Sequence, residues 1–194
     1  RTAGPLEITG TVFRSILGNA VVVHESSANG TITLLNAPEA TRTSGSSLYV
    51  VYNRDPVAIT ALYGYARSSE WSPDKDRMVE AALTPRHSAG LDFAFDADET
   101  GTRAGLEIFY TGRQALEDDP YRTTSVPYTT IGILVEQKVG PASVFVNGEN
   151  LTGVRQTRFD PLLLPNQTST GRWTTAQWAP LEGRMLNAGV RITY

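Results

Sequence analysis

The chain ends in the stretch Arg184-Met-Leu-Asn-Ala-Gly-Val-Arg-Ile-Thr-Tyr194, in which apolar residues alternate with polar or small ones. One side of the alternation carries Leu186, Ala188, Val190, Ile192 and Tyr194. Because side chains alternate across a β-strand, one face of this strand is apolar and ends in an aromatic residue. An unpaired apolar strand would fray and aggregate, whereas a strand that closes a membrane barrel is paired on both edges. The stretch therefore predicts a transmembrane β-strand.

The composition is compatible with one domain and excludes several classes of function. The 194 residues include 19% charged side chains and have a formal net charge of −3, so the basic surface that nucleic-acid binding needs is missing. Cysteine is absent, which excludes zinc–thiolate sites and disulfide frameworks. No apolar run approaches the roughly 20 residues of a membrane helix. Any membrane crossing by this sequence must therefore use strands.

Segments with strand alternation recur along the chain, separated by turn residues. Together with the last stretch they predict eight long strands, at residues 6–16, 41–53, 57–67, 86–97, 102–113, 126–138, 142–151 and 184–194. The pieces 21–23 and 31–35 predict a small hairpin that projects beyond the sheet, and residues 68–85 predict a long charged connection. The connections after the second, fourth and sixth strands are short, and the others are longer. This asymmetry is typical of outer-membrane barrels.

Each predicted strand has an apolar face and a polar face, and we expect the apolar faces to point at lipid. The polar faces would then line a wet lumen, with the charged and amide residues Glu7, Asp92, Arg103, Glu107, Glu136, Asn147 and Glu149. Interfacial positions are expected for Tyr52, Tyr63, Tyr65, Tyr110 and Tyr194. A soluble barrel would reverse the arrangement, and a dry centre would then contain Leu91, Ile108, Val135 and Val190.

The C-terminal part of the chain contains three distinctive pieces, namely Asn147-Gly-Glu-Asn-Leu151, Gly171-Arg-Trp173 and the closing aromatic strand. Together they resemble the end of TonB-dependent outer-membrane receptors. Upstream, Arg42-Thr-Ser-Gly45 and Pro85-Arg-His-Ser-Ala-Gly90 are also similar to this family, so the likeness extends across most of the chain. It implies an all-β, antiparallel, up-and-down fold, in which residues 1–194 form the C-terminal eight strands of a 22-stranded transmembrane barrel. The globular plug domain of such receptors has no counterpart in these residues.

The resemblance also implies a function and a location for the parent protein. It would bind a scarce nutrient, such as an iron–siderophore complex, cobalamin or an oligosaccharide, and import it into the periplasm with energy supplied through TonB. The implied partners are outer-membrane lipid and lipopolysaccharide, the plug domain and remaining barrel strands, and the TonB complex, which would contact an N-terminal region. The implied location is the bacterial outer membrane, and no cofactor or nucleic acid is implied.

The predicted loop at residues 152–180 is the candidate ligand-binding region, since loops on a rigid scaffold often hold ligand contacts. Its candidate residues are Arg155, Arg158, Phe159, Arg172, Trp173 and Trp178. Guanidinium groups and aromatic faces suit a planar or anionic ligand such as a metal chelate. The alternative is that the tryptophans pack the loop, while the arginines contact lipopolysaccharide phosphates or lumen carboxylates. The sequence leaves both interpretations open.

Catalysis and metal binding are not expected. His87 and Ser88 could suggest a hydrolase, with Asp92 as the acid, but adjacent residues on a strand point to opposite faces. The acidic pairs in the loops lack the number of oxygens that calcium requires.

Two alternatives to the receptor remain. One is a closed eight-stranded outer-membrane barrel, an adhesin or anchor, in which the first strand pairs with the last. The other is a soluble all-β binding module with a buried apolar centre.

Overall fold

A computed structural model describes residues 4–26, 31–168 and 171–192 of the chain. These residues form an all-β fold with eleven strands and one 3-10 turn at Gln156–Arg158. The strands are β1 (Leu6–Leu17), β2 (Val21–Ser26), β3 (Thr31–Asn36), β4 (Thr41–Arg54), β5 (Val57–Ser72), β6 (Arg77–Glu80), β7 (His87–Ala97), β8 (Thr102–Thr111), β9 (Tyr128–Val139), β10 (Ala142–Glu149) and β11 (Met185–Ile192).

Eight long strands form one antiparallel sheet in the order β1-β4-β5-β7-β8-β9-β10-β11. The strands β2 and β3 form a separate hairpin between β1 and β4, and β6 pairs with the far end of β5. The predicted all-β class, the eight long strands and the projecting hairpin are therefore confirmed. Tyr194 of the predicted last strand lies outside the described residues.

The prediction of a plain connection at residues 68–85 is wrong. Strand β5 continues to Ser72, and β6 returns beside it with Trp71 opposite Met78. The turn between them holds Asp76 in a left-handed conformation, with φ of 48°. This hairpin extends past the rest of the sheet, and Trp71 and Met78 are one apolar pair between charged and polar neighbours. Its sequence therefore does not show the alternation by which the other strands were recognised.

The strand register separates the apolar face of the sheet from the polar face. One row of paired residues on the apolar face runs through Ile8, Val50, Ala61, Leu91, Ile108 and Ile131. The adjacent row on the polar face runs through Glu7, Val51, Thr60, Asp92, Glu107 and Gly132. Residues paired across antiparallel strands share a face, so the two faces that the sequence predicted continue from strand to strand.

The apolar face does not form a buried core. Leu91, Val135 and Val190 are 37%, 50% and 62% exposed, and Ile108 is only half-buried. The buried hydrophobic residues in the described part of the chain all lie outside the eight long strands: Ala37, Ala81, Leu116, Leu164, Trp178 and Ala179. The dry centre that a soluble module requires is therefore not formed by these four side chains.

The eight strands form an open sheet in the part of the chain that the structure describes. There β1 pairs only with β4, and β11 pairs only with β10. A closed eight-stranded barrel would require β1 to pair with β11, so the described strands do not meet the requirement of that alternative. Both outer edges present backbone N–H and C=O groups that other strands could pair with.

Three phenylalanines on the polar face lie over glycines of the neighbouring strand. The pairs are Phe13 with Gly45, Phe109 with Gly90, and Phe145 with Gly189. A Cβ added to Gly189 would lie 2.7 Å from the Phe145 ring, and one added to Gly45 would collide with a backbone oxygen of the next strand. Because these glycines have no side chain, the phenylalanine rings can lie close to the backbone on the polar face of the sheet. Sequence alternation did not predict this contact.

Candidate functional site

A cleft of about 840 Å³ lies on the polar face of the sheet, near the ends of β8, β9 and β10. Its floor includes Glu107, Phe109, Asn147 and Glu149, and residues 177 and 180–183 of the long β10–β11 loop cover one side. Glu107, Asn147 and Glu149 were predicted to lie on this face. The contribution of Phe109 and of the loop was not predicted, because it depends on how the distant loop folds back.

The cleft offers hydrogen-bond acceptors beside an aromatic ring. Asn147 Nδ2 donates to Glu149 Oε1 at 3.0 Å, which orients both side chains along the wall. The carboxylate of Glu107 and the ring of Phe109 are two residues apart on β8 and face the same space. This arrangement can bind a ligand or protein segment that is rich in hydrogen-bond donors. The described residues contain no cluster of three or more His, Asp or Glu side chains arranged to hold a metal ion.

None of the described residues belongs to a helix long and apolar enough to cross a membrane.

The described residues of the connections 112–127 and 150–184 pack together into a unit that we call the loop cap. Its core contains Leu116 from the first connection and Trp178 and Ala179 from the second. Val126 and Tyr128 pack against this core. Trp178 is only 3% exposed, and Arg122 lies over its ring at 5.7 Å from the centroid. The two connections are therefore joined by an apolar core that the sheet itself does not have.

Gln156 organises the polar interior of the loop cap and is completely buried. Its Oε1 accepts from the backbone N–H groups of Trp178 and Ala179, at 2.9 and 3.4 Å. Its Nε2 donates to the Ala176 carbonyl at 2.9 Å and to Thr175 Oγ1 at 3.2 Å. A buried amide that satisfies four partners fixes the path of the chain around it, because each unmet group would be costly.

Two further polar contacts join the halves of the loop cap. Gln114 Nε2 donates to the Trp178 carbonyl at 2.9 Å. Arg122 Nη2 donates to Asp160 Oδ1 at 2.7 Å, and Arg122 Nε lies 2.5 Å from the other carboxylate oxygen. Asp160 is almost fully buried, so this ion pair, with one hydrogen bond, is far less screened than a surface ion pair. The sequence prediction singled out none of these three polar residues.

The candidate ligand residues of the loop divide into separate groups in the structure. Trp178 belongs to the buried core, and Phe159 packs against it with ring centroids 5.6 Å apart. Trp173 is 53% exposed, and its neighbour Arg172 is exposed as well. None of these four residues lines the large cleft. For Trp178 and Phe159 the contacts are those of the packing interpretation, while Trp173 and Arg172 remain exposed candidates.

Arg155 and Arg158 lie in a second, smaller cleft of about 220 Å³, together with Arg184. Arg158 Nη1 donates to the Gly153 carbonyl at 3.0 Å, and Arg184 Nε donates to the Leu151 carbonyl at 2.6 Å. Arg184 was not predicted as a site residue, because it is 26 positions beyond Arg158 and only the folded loop brings it close. The sequence signal that was available is its place at the start of the closing strand.

Local contacts shift the pKa values of two glutamates in the connections between strands. Arg86 forms a bidentate pair with Glu80, at 2.6 and 2.7 Å, and this hydrogen-bonded partner lowers the pKa of Glu80. In the loop cap, partial burial and then the Asp118 and Glu70 carboxylates raise the pKa of Glu117. The first contact stabilises the chain between β6 and β7, whereas the second places an unfavourable charge beside the loop core.

The separation of His87 and Ser88 is confirmed by the register. His87 pairs with Tyr65 on the apolar face, where its Nδ1 is 2.7 Å from the hydroxyl of Tyr63. Ser88 pairs with Gly64 on the polar face. The two side chains therefore point to opposite sides of the sheet and do not form a nucleophile–base pair.

No family model and no curated protein sequence matches the chain. Solved structures of TonB-dependent receptors do match it. The ferric-catecholate import receptor Fiu of E. coli K12 matches with a TM-score of 0.64 and 16% identity over 97% of this chain. The FrpB iron transporter of Neisseria meningitidis matches with a TM-score of 0.65 and 13% identity over 97% of this chain. The siderophore receptor PirA of Acinetobacter baumannii matches with a TM-score of 0.64 and 15% identity over 98% of this chain.

The chain spans only a part of these proteins, namely 25% of Fiu, 29% of FrpB and 30% of PirA. At such low identity the likeness concerns the fold, which agrees with the resemblance seen in the sequence. The antiparallel order, the exposed apolar face and the open edges are all compatible with a segment of a larger barrel. The chain therefore has the fold of a section of a TonB-dependent receptor barrel.

Proposed function

We propose that this chain forms the C-terminal part of the barrel of an outer-membrane receptor that imports a scarce nutrient. The observation that carries the proposal is the exposed apolar face of the eight strands, combined with a hydrophobic core confined to the loops. In water such a face would be unfavourable over so many strands. In a bilayer the same face meets lipid, and the backbone groups are satisfied within the sheet.

The rest of the parent barrel would pair with the free edges of β1 and β11. With the polar face turned to the lumen, the large cleft would open toward a plug domain or toward the ligand path. Glu107, Asn147 and Glu149 would then hydrogen-bond the plug or the passing ligand. The loop cap would lie outside the cell, where its own core keeps it folded in water. Import would use energy delivered through TonB to the plug.

The likeness to import receptors for iron supports the choice of the first nutrient class to test. Fiu is a ferric-catecholate import receptor and PirA a siderophore receptor, and the chain shares their barrel fold. We propose an iron–siderophore complex as the first ligand to test, with cobalamin and oligosaccharides as the other two. All three are rich in polar groups, which suits the acceptor-lined cleft.

Uptake by cells tests this function. The gene for the full-length protein is deleted, and entry of labelled iron–siderophore complexes, cobalamin and oligosaccharides is measured with and without a protonophore. Deletion should abolish energy-dependent entry of one of the three classes, and the plasmid-borne gene should restore it. Substituting Glu107, Asn147 and Glu149 by Ala should reduce the restored uptake. The control is Glu7→Ala, on the same face but far from the cleft. Unchanged uptake of all three classes after deletion would contradict the proposal.

A further inference from the structure

Apolar side chains form a continuous row across the polar face of the sheet. In this row Tyr49 pairs with Leu62, Leu62 with Gly90, and Gly90 with Phe109. A Cβ added to Gly90 would lie 3.0 Å from the Phe109 ring and 3.1 Å from Leu62 Cγ, so these two side chains approach each other above the glycine. We call Tyr49, Leu62 and Phe109 the apolar row. All three are exposed, on the face that sequence alternation assigned to water.

The next row of the polar face, toward the short turns, carries carboxylates. Asp92 pairs directly with Glu107, and Glu107 pairs with Gly132. Oε2 of Glu107 lies 3.5 Å from a Cβ position built on Gly132, so this carboxylate reaches over the glycine into the large cleft. The register of β9 and β10 places Glu149 on the other side of Gly132. Carboxylates that face one another across neighbouring strands are unfavourable unless a positive charge lies between them.

The large cleft adjoins both rows, and none of its described lining residues is basic. Its ionisable lining residues are Glu107, Glu149 and Glu182. Within the part of the chain that the structure describes, none of the three takes part in an ion pair. Their repulsion in a partly closed cleft is less screened than on an open surface, so a cation would be favoured there.

Both rows lie near the loop end of β8. Phe109 is two residues from the end of this strand at Thr111, and residues 180–183 of the loop cap line the cleft beside it. The other end of β8 follows the short turn at residues 98–101. A ligand that enters between the loops would therefore meet the apolar row and the carboxylates together. The cleft volume of about 840 Å³ lies within the roughly 300–1,000 Å³ of small-molecule sites.

We propose that the cleft and the apolar row bind a ligand that carries a positive charge beside an apolar body. The inference rests on the proposed function for the side from which the ligand enters, and it narrows the nutrient to this chemical class. The positive group would lie between Glu107 and Glu149, where it offsets their repulsion. The apolar body would lie against Leu62 and Phe109, and Phe109 belongs to both the row and the cleft.

Charge complementarity selects among iron chelates. A ferric trihydroxamate with a terminal ammonium group has the positive charge and the aliphatic body that this surface fits. A ferric tricatecholate carries several negative charges, which the carboxylates of the cleft would repel. The sharpest test therefore changes the charge of one chelate and leaves the rest of it unaltered.

Binding of one chelate in three charge states tests the proposal. The probes are a ferric trihydroxamate with a terminal ammonium group, the same chelate with that amine acetylated, and the same chelate with it succinylated. They are positive, neutral and negative. Their binding to the purified full-length protein in detergent is measured by calorimetric titration. The charge variants are Glu107→Gln and E107Q/E149Q. The matched control is Glu99→Gln, which removes the same charge at the turn between β7 and β8.

The positive chelate should bind at least about tenfold more tightly than the acetylated one, as expected for hydrogen bonds between charged groups. The succinylated chelate should bind more weakly still. E107Q should reduce the preference, E107Q/E149Q should lower it to less than about threefold, and E99Q should keep it within about twofold of wild type. Equal binding of the positive and acetylated chelates, or an unchanged preference in E107Q/E149Q, would overturn the proposal.

Leu62→Ala tests the apolar row separately. It should weaken all three chelates by a similar factor, about fivefold, and keep the preference for charge, because it removes contact with the apolar body alone. The control is Leu48→Ala, the same truncation on the opposite face of the neighbouring strand, where Leu48 pairs with Tyr63. It should leave binding unchanged. If a plug domain occupies the row instead, L62A and E107Q/E149Q should lower the unfolding temperature without changing chelate binding, which would overturn the ligand assignment.

The outcomes for the ligand charge and for the receptor function are separable. A receptor without charge selection would import its nutrient, yet bind the three chelates equally. If the receptor function fails and the ligand assignment holds, deletion of the gene leaves uptake unchanged. The purified protein then still prefers the positive chelate, and E107Q/E149Q still loses that preference.

Discussion

The sheet and the loop cap differ in where their apolar side chains lie. The loop cap buries Leu116, Trp178 and Ala179 beside the hydrogen-bonded amide of Gln156, as a small water-soluble domain does. The sheet exposes its aliphatic residues, and in its described part no large hydrophobic side chain of the eight long strands is buried. A region surrounded by water is stabilised by burying its own apolar side chains in a core. In a region within a bilayer, the surrounding lipid already provides an apolar environment for such side chains.

The two regions should also differ in which interactions stabilise them. The loop cap depends on a few long-range contacts, so a single substitution there should loosen a whole region. In the proposed bilayer location the sheet depends on its backbone ladders and on lipid, so most of its side chains should affect stability only through the face on which they lie. Substitutions in the two regions should therefore differ both in how much stability they remove and in how far the loss spreads.

The largest effect is expected for Trp178→Ala. Removal of this buried ring leaves a cavity and abolishes the contacts with Leu116 and Arg122, so the loop cap should lose about 3–5 kcal/mol. Protection of amides from hydrogen exchange should fall in residues 112–127 and 150–184 and stay unchanged in β4, β5 and β7.

Two controls accompany this variant. Trp178→Phe keeps most of the ring and removes an indole Nε1 that has no partner in the described structure, so it should cost much less. Trp173→Ala, at an exposed ring, should change little. A loss of protection that spreads through the sheet would show that the two regions are not independent.

Val190→Arg tests the outward face of the sheet. If Val190 faces the middle of the bilayer, a charge there should cost about 2–4 kcal/mol of folding free energy. The measurement is reversible folding into lipid vesicles under a urea gradient. Asn187→Arg is the matched control, because Asn187 pairs with Asn147 on the polar face and should tolerate arginine. Equal costs for the two variants would contradict the assignment of faces.

Gln156→Ala tests the polar part of the loop-cap core. Its loss leaves the buried backbone N–H groups of Trp178 and Ala179 without an acceptor, which should cost about 1–3 kcal/mol. Hydrogen exchange at these two amides should accelerate most. Gln167→Ala, in the same loop but exposed, is the control. An unaltered exchange rate at Trp178 would argue against an organising role for Gln156.

The smallest effect is a pH dependence from Glu117. Its pKa is raised above the ordinary 4.5, chiefly by partial desolvation of the carboxyl group and then by the neighbouring carboxylates. The protonated form is therefore favoured in the folded cap: stability is complete below pH 4.5 and is lost as the pH rises through the folded pKa. Glu117→Gln should make the cap more stable than wild type at pH 7 and leave it equal at pH 4, by urea titration with tryptophan fluorescence.

The control for this titration is Glu99→Gln, at the turn between β7 and β8. It removes the same charge outside the loop cap and should leave the stability of the cap unchanged. A Glu117→Gln cap that is less stable than wild type at pH 7 would reverse the assigned sign.

Local pattern predicted much of the sheet. Alternation placed Leu91, Ile108 and Val135 on one face and Asp92, Glu107 and Glu136 on the other, and the register confirms both sets. The same rule failed at β6, where a short charged strand pairs beyond the main sheet. Alternation reports a difference between two environments, so a hairpin with similar surroundings on both sides leaves no such trace.

The long strands, their two faces, the short and long connections and the resemblance to a receptor family could all be inferred from the amino-acid sequence, because each is carried by local patterns and motifs along the chain. Folding in three dimensions was needed to show that Gln156 and Trp178 form a core with Leu116, and that Arg184 joins Arg155 and Arg158. It was also needed to show that a distant loop covers the cleft over Glu107, a contact between residues up to about 75 positions apart. Such contacts depend on the path of the loops in space, and no spacing along the chain encodes that path.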